Sequence, residues 1–228
     1  MDGTMGRHWL GIDVGGPAKG QALAVLDQDL GVVHLESGLA AQGLAQSLVA
    51  RWGTDLVVGI DAPRRPAPAG AAKAGRACER ALKKLPDLRV NPQWTPPEDS
   101  RWPPRLAWMV QGFAIFADFT RLLGPQSCLE VFPSASYQLL PPQAQVTWPL
   151  GLVGRAGRLR LDLLDAVCCA LTVWCHSQGC YLALGREDEG LLILPWPPGR
   201  PRPELTLVRD RLFASQTGPN HPPRGTGP

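Results

Sequence analysis

The sequence predicts an α/β fold, a mixed β-sheet flanked by helices, and three observations carry that reading. Short apolar runs separated by turn residues fill the first third of the chain, as in an antiparallel meander. A segment of helical period then lies between two compact apolar runs, which implies a crossover connection and a parallel strand pair. The chain has 228 residues, 44% of them hydrophobic, enough for one domain with a sizeable core and an appended segment.

The elements follow in order. His8 to Val14 reads as a first strand, and Gly15-Gly16-Pro17-Ala18-Lys19-Gly20 as the loop into a second, Gln21 to Asp27. Asp29-Leu30-Gly31 turns the chain into a third, Val32 to Glu36. Leu39, Leu44, Leu48, Val49 and Trp52 stand at helical spacing over 39–52, and Gly53 ends that helix. Leu56 to Ile60 is a fourth strand, stopping at Asp61 and expected to run parallel to the first. Residues 64–105 change character, with eight prolines and ten basic residues against four acids. One short helix fits there, around Arg76 to Leu85, inside a long irregular excursion that carries Trp94 and Trp102. Leu106 to Leu123 is a helix ended by Gly124-Pro125. Cys128 to Phe132 is a fifth strand, and Ser134 is placed to cap a short helix running to Leu140. A Pro/Gly-broken connection over 141–160 ends in Arg155, Arg158 and Arg160. Leu161 to Gln178 is a long helix with Gly179 just beyond it. Leu191 to Leu194 is read as a last edge strand. The domain is thus expected over 1–195, with 196–228 as a Pro/Gly-rich, irregular tail.

Charged residues are only 19%, and 23 basic against 20 acidic side chains leave a net charge of +3, which excludes a strongly basic or strongly acidic tail protein. The 25 glycines and 24 prolines require many irregular connections. No uninterrupted apolar run approaches the roughly 20 residues of a membrane span, and the apolar N-terminal segment is broken by Asp13, so a soluble cytoplasmic protein is expected. Cys78, Cys128, Cys168, Cys169, Cys175 and Cys180 form no C-x-x-C pair and read as reduced core thiols. Cys175, His176 and Cys180 lack zinc-finger spacing. His8, His34, His176 and His221 belong to no nucleophile motif, and G-x-S-x-G is absent.

Carboxylates carry the chemical signal. Asp13 interrupts the first strand, Asp61 ends the fourth, Glu130 lies inside the fifth, and Asp165 sits in an otherwise apolar helix. A lone buried carboxylate costs several kcal/mol unless it is paired or holds a metal. Convergence around a divalent cation is the economical common explanation. The topology agrees: strands one and four are expected side by side, with Asp13 next to Asp61 and the helix bringing Asp165 over them. Asp162, three residues earlier, is a second candidate. Each also has a structural alternative. Asp61 would cap a turn, Asp165 would favour a helix's first turn, and Glu130 would pair with an arginine such as Arg121. Asp13 is the hardest to explain away.

Gly15-Gly16 with Lys19-Gly20 fits either a phosphate-cradling loop or a hairpin turn requiring positive φ, and it lacks P-loop spacing. Arg64, Arg65, Lys73 and Arg76 follow Asp61 closely and are candidates for phosphate contacts. A solvated charge run, with Arg76, Glu79 and Arg80 as a helix-surface ladder, is the alternative.

Five ordered motifs resemble domain-of-unknown-function family 429, described as predicted nucleases with an RNase H-like fold. They are Gly11-Ile12-Asp13-Val14-Gly15-Gly16, Gly59-Ile60-Asp61-Ala62-Pro63, Arg76-Ala77-Cys78-Glu79-Arg80, Glu130-Val131-Phe132-Pro133-Ser134-Ala135 and Leu164-Asp165-Ala166-Val167. The resemblance spans roughly residues 8 to 195. It implies an RNase H-like, five-stranded mixed sheet, the first three strands antiparallel and the next two parallel to the first. It also implies an acidic catalytic and metal-binding cluster of Asp13, Asp61, Glu130 and Asp165. Residues 141–160 depart from the lysine- and glycine-containing segment expected there.

These readings lead to a metal-dependent nuclease. Two Mg²⁺ or Mn²⁺ ions about 3.5–4 Å apart would share Asp13, with Asp61 and Glu130 completing one site and Asp165 the other. Lys19, Arg64, Arg65 and Arg76 would contact DNA or RNA phosphates, and Trp94 or Trp102 would be available to stack on a base. A nucleotide phosphohydrolase and a non-catalytic binding or scaffold protein on the same fold are the rivals.

Overall fold

The computed structural model describes residues 6–70, 75–86, 88–147 and 161–200. Lys73, Arg155, Arg158, Arg160 and the tail beyond 200 lie outside them. The meander forms as expected: β1 (His8–Asp13), β2 (Gln21–Leu26) and β3 (Val32–Leu39) pair antiparallel. Helix α1 (Leu44–Trp52) then crosses to β4 (Leu56–Asp61), which lies parallel to β1. Leu39 ends β3 rather than opening α1, because Gly38 and Gly43 take φ of 78° and 76°, turning the chain between the two elements.

The excursion contributes α2 (Ala77–Leu82) and a 3₁₀ turn (Pro104–Leu106) leading into α3 (Ala107–Leu123). Among the described residues, Pro104–Leu123 is the one helical stretch with the length and apolarity to cross a membrane. Its Met109, Gly112, Ile115, Phe116 and Phe119 are buried in this fold. After a second 3₁₀ turn, β5 (Cys128–Val131) pairs parallel with β4. Short α4 (Pro133–Ser136) starts on Pro133 with Phe132 as its cap, not on Ser134, since proline's fixed φ suits a first helical position. Helix α5 (Leu161–Ser177) and the hairpin of β6 (Tyr181–Arg186) and β7 (Gly190–Pro195) complete the order.

The sheet has seven strands, not five, in the order β3-β2-β1-β4-β5-β7-β6. β7 is not an edge strand: it lies between β5, to which it is parallel, and β6. Trp196 is buried beside this hairpin, donates its backbone N–H to Cys180 O (2.9 Å), and sends its indole N–H to Arg200 O (3.1 Å). The first residues of the expected tail are therefore packed.

Strand periodicity divides the core. Leu10 and Ile12 of β1 and Leu56, Val58 and Ile60 of β4 pack with α1 and α3. Trp9, together with Ala22 and Ala24 of β2, packs with Ala166, Cys169 and Ala170 of α5 on the other face. Helix α5 sits unusually close to that face, and two glycines permit it. A Cβ at Gly11 would fall inside the Ala166 carbonyl oxygen, and one at Gly59 would lie 2.6 Å from the Cys169 carbonyl oxygen. Of the six cysteines, all free, five are buried and Cys180 is partly so.

Candidate functional site: an acidic cluster beside a buried arginine

Asp13 and Asp61 end β1 and β4 and are register partners across the parallel pair, so their carboxylates leave the sheet side by side. Both share strand parity with the glycines under α5 and project toward that helix. Asp165 lies one turn into α5, next to Ala166, which crosses Gly11. It is beyond the first turn, where Asp162 stands instead.

Burial and repulsion between carboxylates act on all three. Burial, followed by the charge of Asp165, pushes the Asp13 carboxyl up to about 6. Asp61 is driven well above the usual carboxylate range by burial and then by Asp13, Asp165 and Glu130. Asp165 is raised by burial, although the polar Tyr137 hydroxyl beside it opposes the shift. Lys19 pairs with Asp162 at 2.8 Å, and its charge is felt by both Asp13 and Asp165. The loop carrying Lys19 is a hairpin turn: Lys19 and Gly20 donate their N–H groups to Gly16 O (2.9 and 3.1 Å), and Gly20 has φ of 74°.

Glu130 is placed differently. Its register partner is Ile60, one residue before Asp61, so it points to the opposite face of the sheet, the side of α3. There Arg76, only 2% exposed, grips it with two bonds: Nη1 donates to Oε2 at 2.7 Å and Nη2 to Oε1 at 2.5 Å. The Arg64 backbone N–H also donates to Oε2, at 2.8 Å. Arg76 turns its remaining Nε to Glu79 Oε1 at 3.1 Å. Glu79 in turn accepts bonds from the Arg76 and Thr95 N–H groups (3.0 and 3.1 Å) and from the Thr95 hydroxyl. Thus Glu130 pairs with an arginine, but with Arg76 and not Arg121, whose partner is Asp118. Arg76 and Glu79 form an interior network, not a surface ladder or a solvent-facing phosphate contact.

Arg64 and Arg65 stay nearer the surface. Arg64 lies over the Phe116 ring at 5.9 Å, and Arg65 donates to Asp188 O at 2.8 Å. They border an open depression of about 770 Å³ that also includes Phe113, Arg121 and the acidic Glu98 and Asp188. Trp102 meets Phe113 edge-on at 5.5 Å. Trp94 is a packing anchor: a Cβ on Gly75 would collide with its ring.

The donor set of Asp13, Asp61 and Asp165 suits a hard, oxygen-preferring cation, because all are carboxylates and each is raised by burial and by a neighbouring carboxylate, with Lys19 partly offsetting the shift at Asp13 and Asp165. The arrangement is open: among the described residues, no three His, Cys, Asp or Glu side chains close on one point as metal ligands. Glu130 does not suit the role while Arg76 occupies both of its oxygens. Sequence reasoning missed Tyr137 and Thr95. The only available signal for Tyr137 was its position five residues beyond Phe132, at the end of the β5 motif. No protein-family model, curated protein or solved structure matches this chain.

Proposed function

We propose that this chain is a divalent-cation-dependent phosphodiesterase with an RNase H-like fold, acting on DNA or RNA, as its resemblance to domain-of-unknown-function family 429 implies. The observation that carries the reading is the in-register pairing of Asp13 with Asp61 at the ends of adjacent parallel strands, with Asp165 brought alongside by α5. Asp13, Asp61 and Asp165 would hold Mg²⁺ or Mn²⁺, which supplies Lewis acidity and makes bound water nucleophilic near neutral pH. The chain's own groups do the rest. The Tyr137 hydroxyl lies beside Asp165 and favours its ionised form, Lys19 tempers the negative charge, and Arg64 and Arg65 hold phosphate oxygens.

The test is cleavage of single- and double-stranded DNA, RNA and hybrid substrates with Mg²⁺ or Mn²⁺. The wild type is expected to cut at least one of them, and Asp13→Asn and Asp165→Ala are expected to lose that activity. Hydrolysis of nucleotides with no polymer cleaved would move the reading to a phosphohydrolase. A second reading, a non-catalytic binding module, is favoured by the Arg76–Glu130 pair, which withholds the fourth carboxylate. Mn²⁺ binding with no hydrolysis of any substrate would select it.

A further inference from the structure

Arg76 and Glu130 raise a question that the acidic cluster alone does not. The two-ion arrangement expected from the sequence uses Glu130 as a ligand, yet both of its oxygens are taken by a guanidinium that is itself buried. Oε2 carries a further bond from the Arg64 N–H. Arg76 is not a loosely held side chain that an ion would brush aside. It is fixed from behind by Glu79, which Thr95 holds in place. Glu130 also leaves the sheet on the face opposite Asp13 and Asp61. Between Asp61, Arg76, Glu79 and Glu130 there is a cavity of only about 50 Å³, walled by Trp108 and Met109.

We infer that Arg76 is the resident cation of this site: it fills the place at Glu130 that a second divalent ion would need, so the chain binds one such ion, at Asp13, Asp61 and Asp165. The inference rests on the phosphodiesterase reading for that single ion. Charge balance supports it. One guanidinium already sits against Glu130 and Glu79, whereas Asp13, Asp61 and Asp165 are each raised by a neighbouring aspartate, and Lys19, which also pairs with Asp162, offsets this in part at Asp13 and Asp165. Arg76 is a positioning residue here, since it touches carboxylates and not substrate.

The experiment is calorimetric titration of MnCl₂ into the full chain, with electron paramagnetic resonance counting bound Mn²⁺ and circular dichroism confirming the fold of each variant. The wild type is expected to bind one ion, and Asp13→Asn none. The paired variant Arg76→Gln/Glu130→Gln, which removes both charges together, is expected to bind one ion still. Arg76→Gln alone leaves Glu79 and Glu130 without their counter-charge and is expected to admit a second ion. Two ions on the wild type, loss of the ion from the folded paired variant, or a single ion on folded Arg76→Gln would each overturn the inference and leave the proposed function standing. No Mn²⁺ on the wild type, or undiminished binding by Asp13→Asn, would overturn both.

Discussion

Asp13 holds its proton up to about pH 6 because burial and the charge of Asp165 both oppose ionisation. The sign of its effect on stability follows. A carboxyl whose folded pKa lies above the unfolded value of about 4 binds protons more tightly in the native state. Its contribution to stability is therefore complete at low pH and is lost as pH rises from about 4 through about 6. In urea denaturation without divalent ions, the protein should lose stability between pH 5 and pH 7, and Asp13→Asn should lose less. The same substitution should stabilise the metal-free protein at pH 7 by about 0.5–2 kcal/mol while removing Mn²⁺ binding, the usual opposition of stability and function at a site. A lower melting temperature for the variant would contradict the repulsion argument. Protons compete with the cation at the same oxygens, and Asp61 is raised further than Asp13, so Mn²⁺ affinity should climb with pH through pH 6 and continue to climb above it. Calorimetry across pH 5 to 8 reads this directly.

Among the elements, α5 and its seat decide where the cluster forms. Gly11 and Gly59 let the helix backbone approach β1 and β4, and an added methyl has no space against the Cys169 carbonyl. Gly59→Ala should cost about 1–3 kcal/mol in denaturant unfolding, with weaker Mn²⁺ binding because Asp165 rides on the displaced helix. A neutral effect would mean that α5 is not held at this depth. On the other face, Arg76→Ala strands two buried carboxylates and should cost about 3–5 kcal/mol. The placement of Asp13 and Asp61 was legible in the sequence because an apolar strand, a helix and a second apolar strand leave few topologies, and both acids stand at strand ends. Glu130 was not legible in the same way. Its side of the sheet depends on a one-residue choice of register between β4 and β5, and its partner Arg76 arrives from an excursion whose path no periodicity reports. β6 escaped notice because Tyr181–Arg186 is short and interrupted by Gly185, which has φ of 107°. Without it, β7 reads as an edge.

At the scale of the whole molecule, a net charge of +3 gives little general attraction to a polyanion, so any hold on nucleic acid must come from local groups. Arg64 and Arg65 stand where the chain leaves β4, three and four residues after Asp61. If they meet phosphates, Arg64→Ala and Arg65→Ala should each weaken binding evenly across sequences and lower the salt slope by about one. Fluorescence anisotropy with a labelled single strand across a salt series measures this, and an unchanged slope in both variants would remove them from the interface. The opposed facing of Glu130 and Asp13 also gives the sheet two differently charged sides: one carries a built-in cation, Arg76, and Asp61 at the end of β4 borders the small cavity beside it. Which acids the chain neutralises for itself thus rests on odd and even counting along neighbouring strands.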